Sequence, residues 1–124
     1  MKIAVPYDVD NQTIVSHFAE AANFKIYTVD GGHIIDDAIV PLTAKGHDAI
    51  AGFLWDYRVS AVICGHIGKP MRTALVECGI DIFAGIAGNP NKAVEALIKG
   101  TLEDDMTFHE ADDAGADRSY HWNE

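Results

Sequence analysis

The stretch Ser60-Ala61-Val62-Ile63-Cys64-Gly65-His66-Ile67-Gly68 decides the fold. Its first five residues are a short apolar run, the pattern of a central parallel strand covered on both faces. Two glycines then bracket a histidine, and Gly68 to Cys78 reads as a helix with Met71, Ala74, Leu75 and Cys78 on its inner stripe. Gly79 is its stop. Ile80-Asp81-Ile82-Phe83-Ala84-Gly85 supplies the next strand. Asn89-Pro90 opens another helix, with Asn as cap and Pro at the first helical position, and Gly100 ends it after Ala93, Ala96 and Leu97 face inward.

Upstream, Gly46 to Tyr57 predicts a helix, since Ile50, Phe53, Leu54 and Tyr57 recur at spacings of three and four. Lys2 to Tyr7 reads as a short buried strand with Pro6 near its end. Asp8 to Gln12 is a polar loop, and Val15 to Ala22 has room for a short helical turn. Phe24 to Val29 alternates apolar and polar, as a half-buried strand does. Asp30-Gly31-Gly32 marks a tight turn, His33 to Val40 returns as the hairpin partner, and Pro41 stops it.

Parallel neighbours need crossovers, and a hairpin reverses the second strand. The simplest assembly is a single α/β domain: a five-stranded mixed sheet in the order 3-2-1-4-5, strand 2 antiparallel, with three helices on its two faces. That is the outline of a ribonuclease H-like motif. The domain spans residues 1–102, and residues 103–124 are expected to form an acidic, flexible tail.

The formal charge is −10, and the tail concentrates it, with eight acids against Arg118 alone. An acidic chain without a basic stripe lacks the footprint of a nucleic-acid binder. No apolar run reaches the ~18 residues of a membrane span. The start Met1-Lys2-Ile3-Ala4-Val5-Pro6 reads as a strand rather than a leader, so a cytoplasmic protein is expected. Two cysteines suit a reducing compartment, and a helix of roughly 15 Å between Cys64 and Cys78 makes their pairing improbable.

Three histidines fall where strands should end: His17 in Ser16-His17-Phe18, His47 in Gly46-His47-Asp48, and His66 between its glycines. In the expected sheet the chain order reverses between strands 1 and 4, and ligands of open α/β sheets sit at such a switch point. Neutral imidazole is a common metal ligand, and Cys64 would add a soft donor. Gly65 and Gly68 permit close approach of backbone, and helix starts at Gly68 and Asn89 would favour an anion. The candidate ligand set is therefore His17, His66, Cys64, His47, Gly65, Gly68 and Asn89, with His17, His66 and Cys64 as metal donors. A metal–sulfur cluster or a small anionic ligand would each suit it. His33, His109 and His121 read as solvated.

These residues carry a resemblance. Met1-Lys2-Ile3-Ala4-Val5, Ser16-His17-Phe18, Gly65-His66-Ile67-Gly68, and Gly79-Ile80-Asp81-Ile82-Phe83-Ala84-Gly85 through Ala93, Leu97 and Gly100 follow in the order seen in the dinitrogenase iron–molybdenum cofactor biosynthesis family. This is the NifX/NifY type, also found as the C-terminal part of NifB proteins, and the resemblance covers roughly residues 1–100. It implies a ribonuclease H-like fold and binding or carriage of iron–sulfur or iron–molybdenum cofactor precursors, with cofactor-assembly proteins as partners. His17 would be the leading cluster contact, ahead of His66, Cys64 and His47. Ala19 and His66 stand where the family often has glycine.

Two other readings compete with a non-enzymatic carrier. One is a nucleotide- or protein-binding regulatory module without metal. The other is a ribonuclease H-like metal-dependent enzyme, for which Asp8 at the end of strand 1 would be one carboxylate. Cys64 stands where a second would be wanted, and no convincing catalytic constellation is present.

Overall fold

The computed structural model describes residues 1–102. The acidic tail, with His109 and His121, lies outside the described residues. The elements are β1 (Lys2–Asp8), β2 (Thr13–Ile14), a 3-10 turn (Phe18–Glu20), β3 (Asn23–Asp30), β4 (His33–Pro41), α1 (His47–Asp56), β5 (Val59–Ile63), α2 (Lys69–Glu77), β6 (Asp81–Phe83) and α3 (Pro90–Lys99).

The sheet runs β4-β3-β1-β5-β6, with β2 attached to β1. β3 is antiparallel to both neighbours, pairing Ala4 with Ile26 on one side and Tyr27 with Asp37 on the other. β1, β5 and β6 are mutually parallel, with Ala4 beside Val62 and Val62 beside Ile82. Their carboxyl ends therefore open on one edge. The structure adds a sixth strand to the five expected from sequence. β2 is only two residues long, too short for any periodicity, and it forms because a tight turn at Gln12 (φ 59°) folds Thr13 and Ile14 back onto Tyr7 and Asp8.

Strand alternation sorts the core onto the two faces. Ala4, Phe24, Ile26 and Val62 pack with Ala51 and Leu54 of α1 and with Met71, Ala74 and Leu75 of α2. Ile3, Val5, Tyr27 and Ile63 pack with Ala93 and Val94 of α3. Successive strand residues point to opposite faces, so a sheet buried on both sides needs apolar residues at every position, and Ile3-Ala4-Val5 and Ala61-Val62-Ile63 supply them. On the α3 face, Tyr27 Oη donates to Asn91 Oδ1. Burial, with Asp37 and Tyr7 nearby, pushes this phenol well above its ordinary value. Arg72 is also fully buried on α2, outside the expected apolar stripe, whereas Cys78 is only half-buried.

β5 and β6 end sooner than expected, at Ile63 and Phe83. The chain beyond them keeps making backbone hydrogen bonds, but with the loops of neighbouring strands, and those bonds build the site described below.

Candidate functional site

Three strand-end loops lie side by side on the C-terminal edge. Val15 N donates to Pro6 O (2.9 Å) and fixes the return of the first loop. His66 N then donates to Ser16 O (2.7 Å), and Phe18 N donates to His66 O (2.8 Å). These two bonds form a parallel bridge between His17 and His66. The next loop joins in the same way: Cys64 N donates to Phe83 O, Gly85 N to Gly65 O, and Ile86 N to Cys64 O, all at 2.9–3.0 Å.

Glycine is required at position 65. A Cβ there would lie 2.5 Å from Ser16 O and 3.0 Å from Val15 O. Those are backbone atoms, which cannot swing aside as a side chain can, so the first two loops touch only because Gly65 has no side chain. Phe18 secures the other end. It is buried at 3% exposure and meets Phe24 with ring centroids 5.6 Å apart. His17, extended just before the 3-10 turn, is thereby held from both directions.

The outcome is an imidazole pair. The His17 and His66 ring centroids are 5.1 Å apart at an interplanar angle of 63°. His17 is exposed and His66 half-buried, so the pair faces outward. His47 is the first residue of α1 and lines a cavity of about 260 Å³ walled by Phe18, Ile50 and Met71, with Gly46 and Gly68 at two helix starts. This cavity adjoins the pair through Phe18, and neither imidazole of the pair lines it.

Two residues of the expected set fall elsewhere. Cys64 is fully buried in the core with Ala4 and Val62. The pleat continues past Ile63 and turns Cys64 toward the α1–α2 face, so it is not the exposed soft donor expected beside the imidazoles. Asn89 Oδ1 accepts from Asn91 N (2.8 Å) and Lys92 N (3.2 Å), so its side chain caps α3 and already satisfies amides that an anion would need. Gly68 starts α2 without a side-chain cap, but Pro70 removes one early donor. No disulfide joins Cys64 and Cys78. Among the described residues, no group of three or more His, Cys, Asp or Glu side chains is placed to hold a metal ion.

Asp8, the carboxylate of the enzyme reading, organises its own loop. Its Oδ1 accepts from Asp10 N (3.0 Å) and Asn11 N (3.2 Å), and its Oδ2 accepts from Asn11 Nδ2 (2.9 Å). The Asn11 side chain, then the backbone donors, hold this exposed carboxyl below its ordinary value of 3.8. Sequence reasoning missed Phe18 as an anchor and Ser16 as the carbonyl that receives the second loop. Backbone acceptors carry no sequence signal, and Gly65 directly after a strand was the only trace of the contact.

The model of the dinitrogenase iron-molybdenum cofactor family matches residues 1–100. The chain belongs to that family. A relative, the uncharacterized protein MJ0580 of Methanocaldococcus jannaschii, is 27% identical over 108 residues, covering 83% of this chain and 90% of that protein. The crystal structure of PH0822 superposes with a TM-score of 0.78 at 22% identity, over 87% of this chain and 97% of the other. The apo form of the orange protein from Desulfovibrio gigas does so with a TM-score of 0.69 at 19% identity, over 84% and 92%. Those two likenesses establish a shared mixed α/β fold. Membership links this chain to the iron–molybdenum cofactor, and no helix among its described residues is long and apolar enough to cross a membrane.

Gly65→Ala forces the first two loops apart. The expected cost is about 1–3 kcal/mol in urea denaturation, the range for overpacking a close contact, with chemical-shift changes centred on His17 and His66. A variant as stable as the parent, with both histidines unmoved, would contradict the contact. Asp8 titrates below 3.8 in the folded chain, so its small contribution to stability is present above that pH and is lost as pH falls through the lowered value. Asn11→Ala removes the largest cause of the lowering, so an NMR titration of Asp8 moves toward 3.8; an unmoved midpoint would refute the assignment.

Proposed function

We propose that this chain is a small, non-enzymatic carrier of an iron–sulfur or iron–molybdenum cofactor precursor, held at the C-terminal edge of a sheet of ribonuclease H-like outline. The observation that carries the reading is the His17–His66 pair, clasped by backbone on an outward-facing edge in a chain of this family. The donor set favours a preassembled species. Two imidazoles leave a metal centre short of ligands, and a cluster brings its own sulfides to fill them. The cluster here is cargo, taken from and passed to cofactor-assembly proteins in the cytoplasm. A pair with His17 exposed suits handover, since a fully buried site would have to open to release its load.

The cavity beside His47 supports a second reading, a nucleotide- or protein-binding regulatory module without metal. The two separate in one experiment. Purified protein is reconstituted without oxygen using iron and sulfide, and its metal content is measured; melting temperature is followed with nucleotides in parallel. The carrier reading expects stoichiometric iron that is lost in His17→Ala and His66→Ala. No bound iron, or iron unchanged in both variants, would refute it. A nucleotide at about 100 times its dissociation constant adds about 2.7 kcal/mol to stability, so a raised melting temperature without iron binding would establish the second reading.

A further inference from the structure

We propose that the open edge of β4, from Asp36 to Val40, is a docking strand for a basic extended segment of a partner protein. That segment sets a run of apolar residues beside two adjacent Lys or Arg. The proposal rests on β4, which β3 separates from β1 and its histidine loop, so it stands or falls apart from the carrier reading.

β4 ends the sheet on one side and is nine residues long. The ladder fixes which way its backbone points. Val29 N donates to Met1 O (2.8 Å) and Met1 N donates to Val29 O (3.1 Å), so Val29 turns its polar groups toward β1. Neighbours along an antiparallel strand alternate. Thr28, Ile26 and Phe24 therefore turn theirs toward β4, onto Asp36, Ala38 and Val40. At the far end Leu42 N donates to Ala22 O (2.9 Å), in step with the same alternation. The N–H and C=O of Asp37 and Ile39 are thus left pointing out of the sheet. The residues from Ile35 to Ile39 are exposed, and Ile39 keeps 49% of its surface.

Folds blunt such edges with bulges, prolines and charges, lysine above all. Here the first two devices close only the ends. The register skips Ile35, passing from Val29–Ile34 to Thr28–Asp36, and Pro41 brings no N–H. The regular strand between them, Asp36 to Val40, is about as long as an ordinary β-strand. β4 carries no Lys or Arg, and its two acids are adjacent, so one lies on each face. Lys25, opposite Ile39 on β3, holds its ammonium over the Tyr7 and Tyr27 rings at 5.1 and 5.4 Å. A second copy paired over this window would gather Asp36 and Asp37 of both chains, each chain carrying −10. Like charges across a ladder destabilise it, so these acids keep a second copy off. Cations opposite them reverse the sign on both faces, and apolar residues cover Ala38, Ile39 and Val40.

The test is NMR titration of the full chain with the capped peptide Val-Val-Val-Lys-Lys, which in antiparallel pairing sets lysine against Asp37 and Asp36. Saturable shifts centred on β4 are expected, with slowed hydrogen exchange at the Asp37 and Ile39 amides. Asp36→Asn and Asp37→Asn, both on the exposed strand, each weaken binding by up to about 5-fold, the worth of one opposite-charge cross-strand pair. Methylating the peptide nitrogens opposite Asp37 and Ile39 removes the outward ladder and abolishes binding. No saturable binding, shifts centred away from β4, equal binding of Val-Val-Val-Glu-Glu or of the methylated peptide, or a dimer of the chain joined through β4 would each overturn the proposal. None of these readouts involves iron, so the result leaves the carrier reading where its own experiment puts it.

Discussion

Two backbone hydrogen bonds hold the site together, His66 N to Ser16 O and Phe18 N to His66 O. They extend parallel pairing beyond the ends of β1 and β5, where each strand would otherwise pass into an independent loop. Residues almost fifty positions apart become neighbours through backbone hydrogen bonds. The contact depends on an atom that is missing: a methyl group at position 65 would collide with the Ser16 carbonyl. A site specified in this way is insensitive to most surface substitutions and very sensitive to one glycine.

The remainder of the domain keeps that clasp in place. β1 is central, with β3 and β5 on its flanks, and its residues are buried on both faces. Phe18 inserts into the core at the point where the clasp ends, so movement of the loop would uncover an aromatic ring. Burying a side chain of that size contributes roughly 1.5–3 kcal/mol, comparable to a couple of hydrogen bonds. The imidazoles remain outside this packing, one exposed and one half-buried. The packed core lies beneath the pair, and His17 above it is open to solvent.

Much of this was legible in the sequence because it rests on periodicity and punctuation. The apolar run of Ala61-Val62-Ile63, the Asp30-Gly31-Gly32 turn and the Asn89-Pro90 helix start each report a local preference that the folded chain obeys. The approach of His17 to His66 followed from strand ends on one edge. Cys64 was misplaced because a continuous apolar run hides which face each residue takes, and the pleat assigns it to the core. Asn89 was given a ligand role although its commonest use, capping the helix it precedes, accounts for both of its bonds. β2 is too short to leave a pattern, and the Ser16 carbonyl is invisible in any sequence.

The central claim is that the fold by itself holds the two imidazoles against each other. Proton–proton Overhauser contacts between the His17 and His66 rings, measured in the metal-free protein in solution, test it directly. The 5.1 Å centroid separation predicts clear cross-peaks between the rings. Their absence, with both side chains assigned and the chain folded, would show that the clasp does not form.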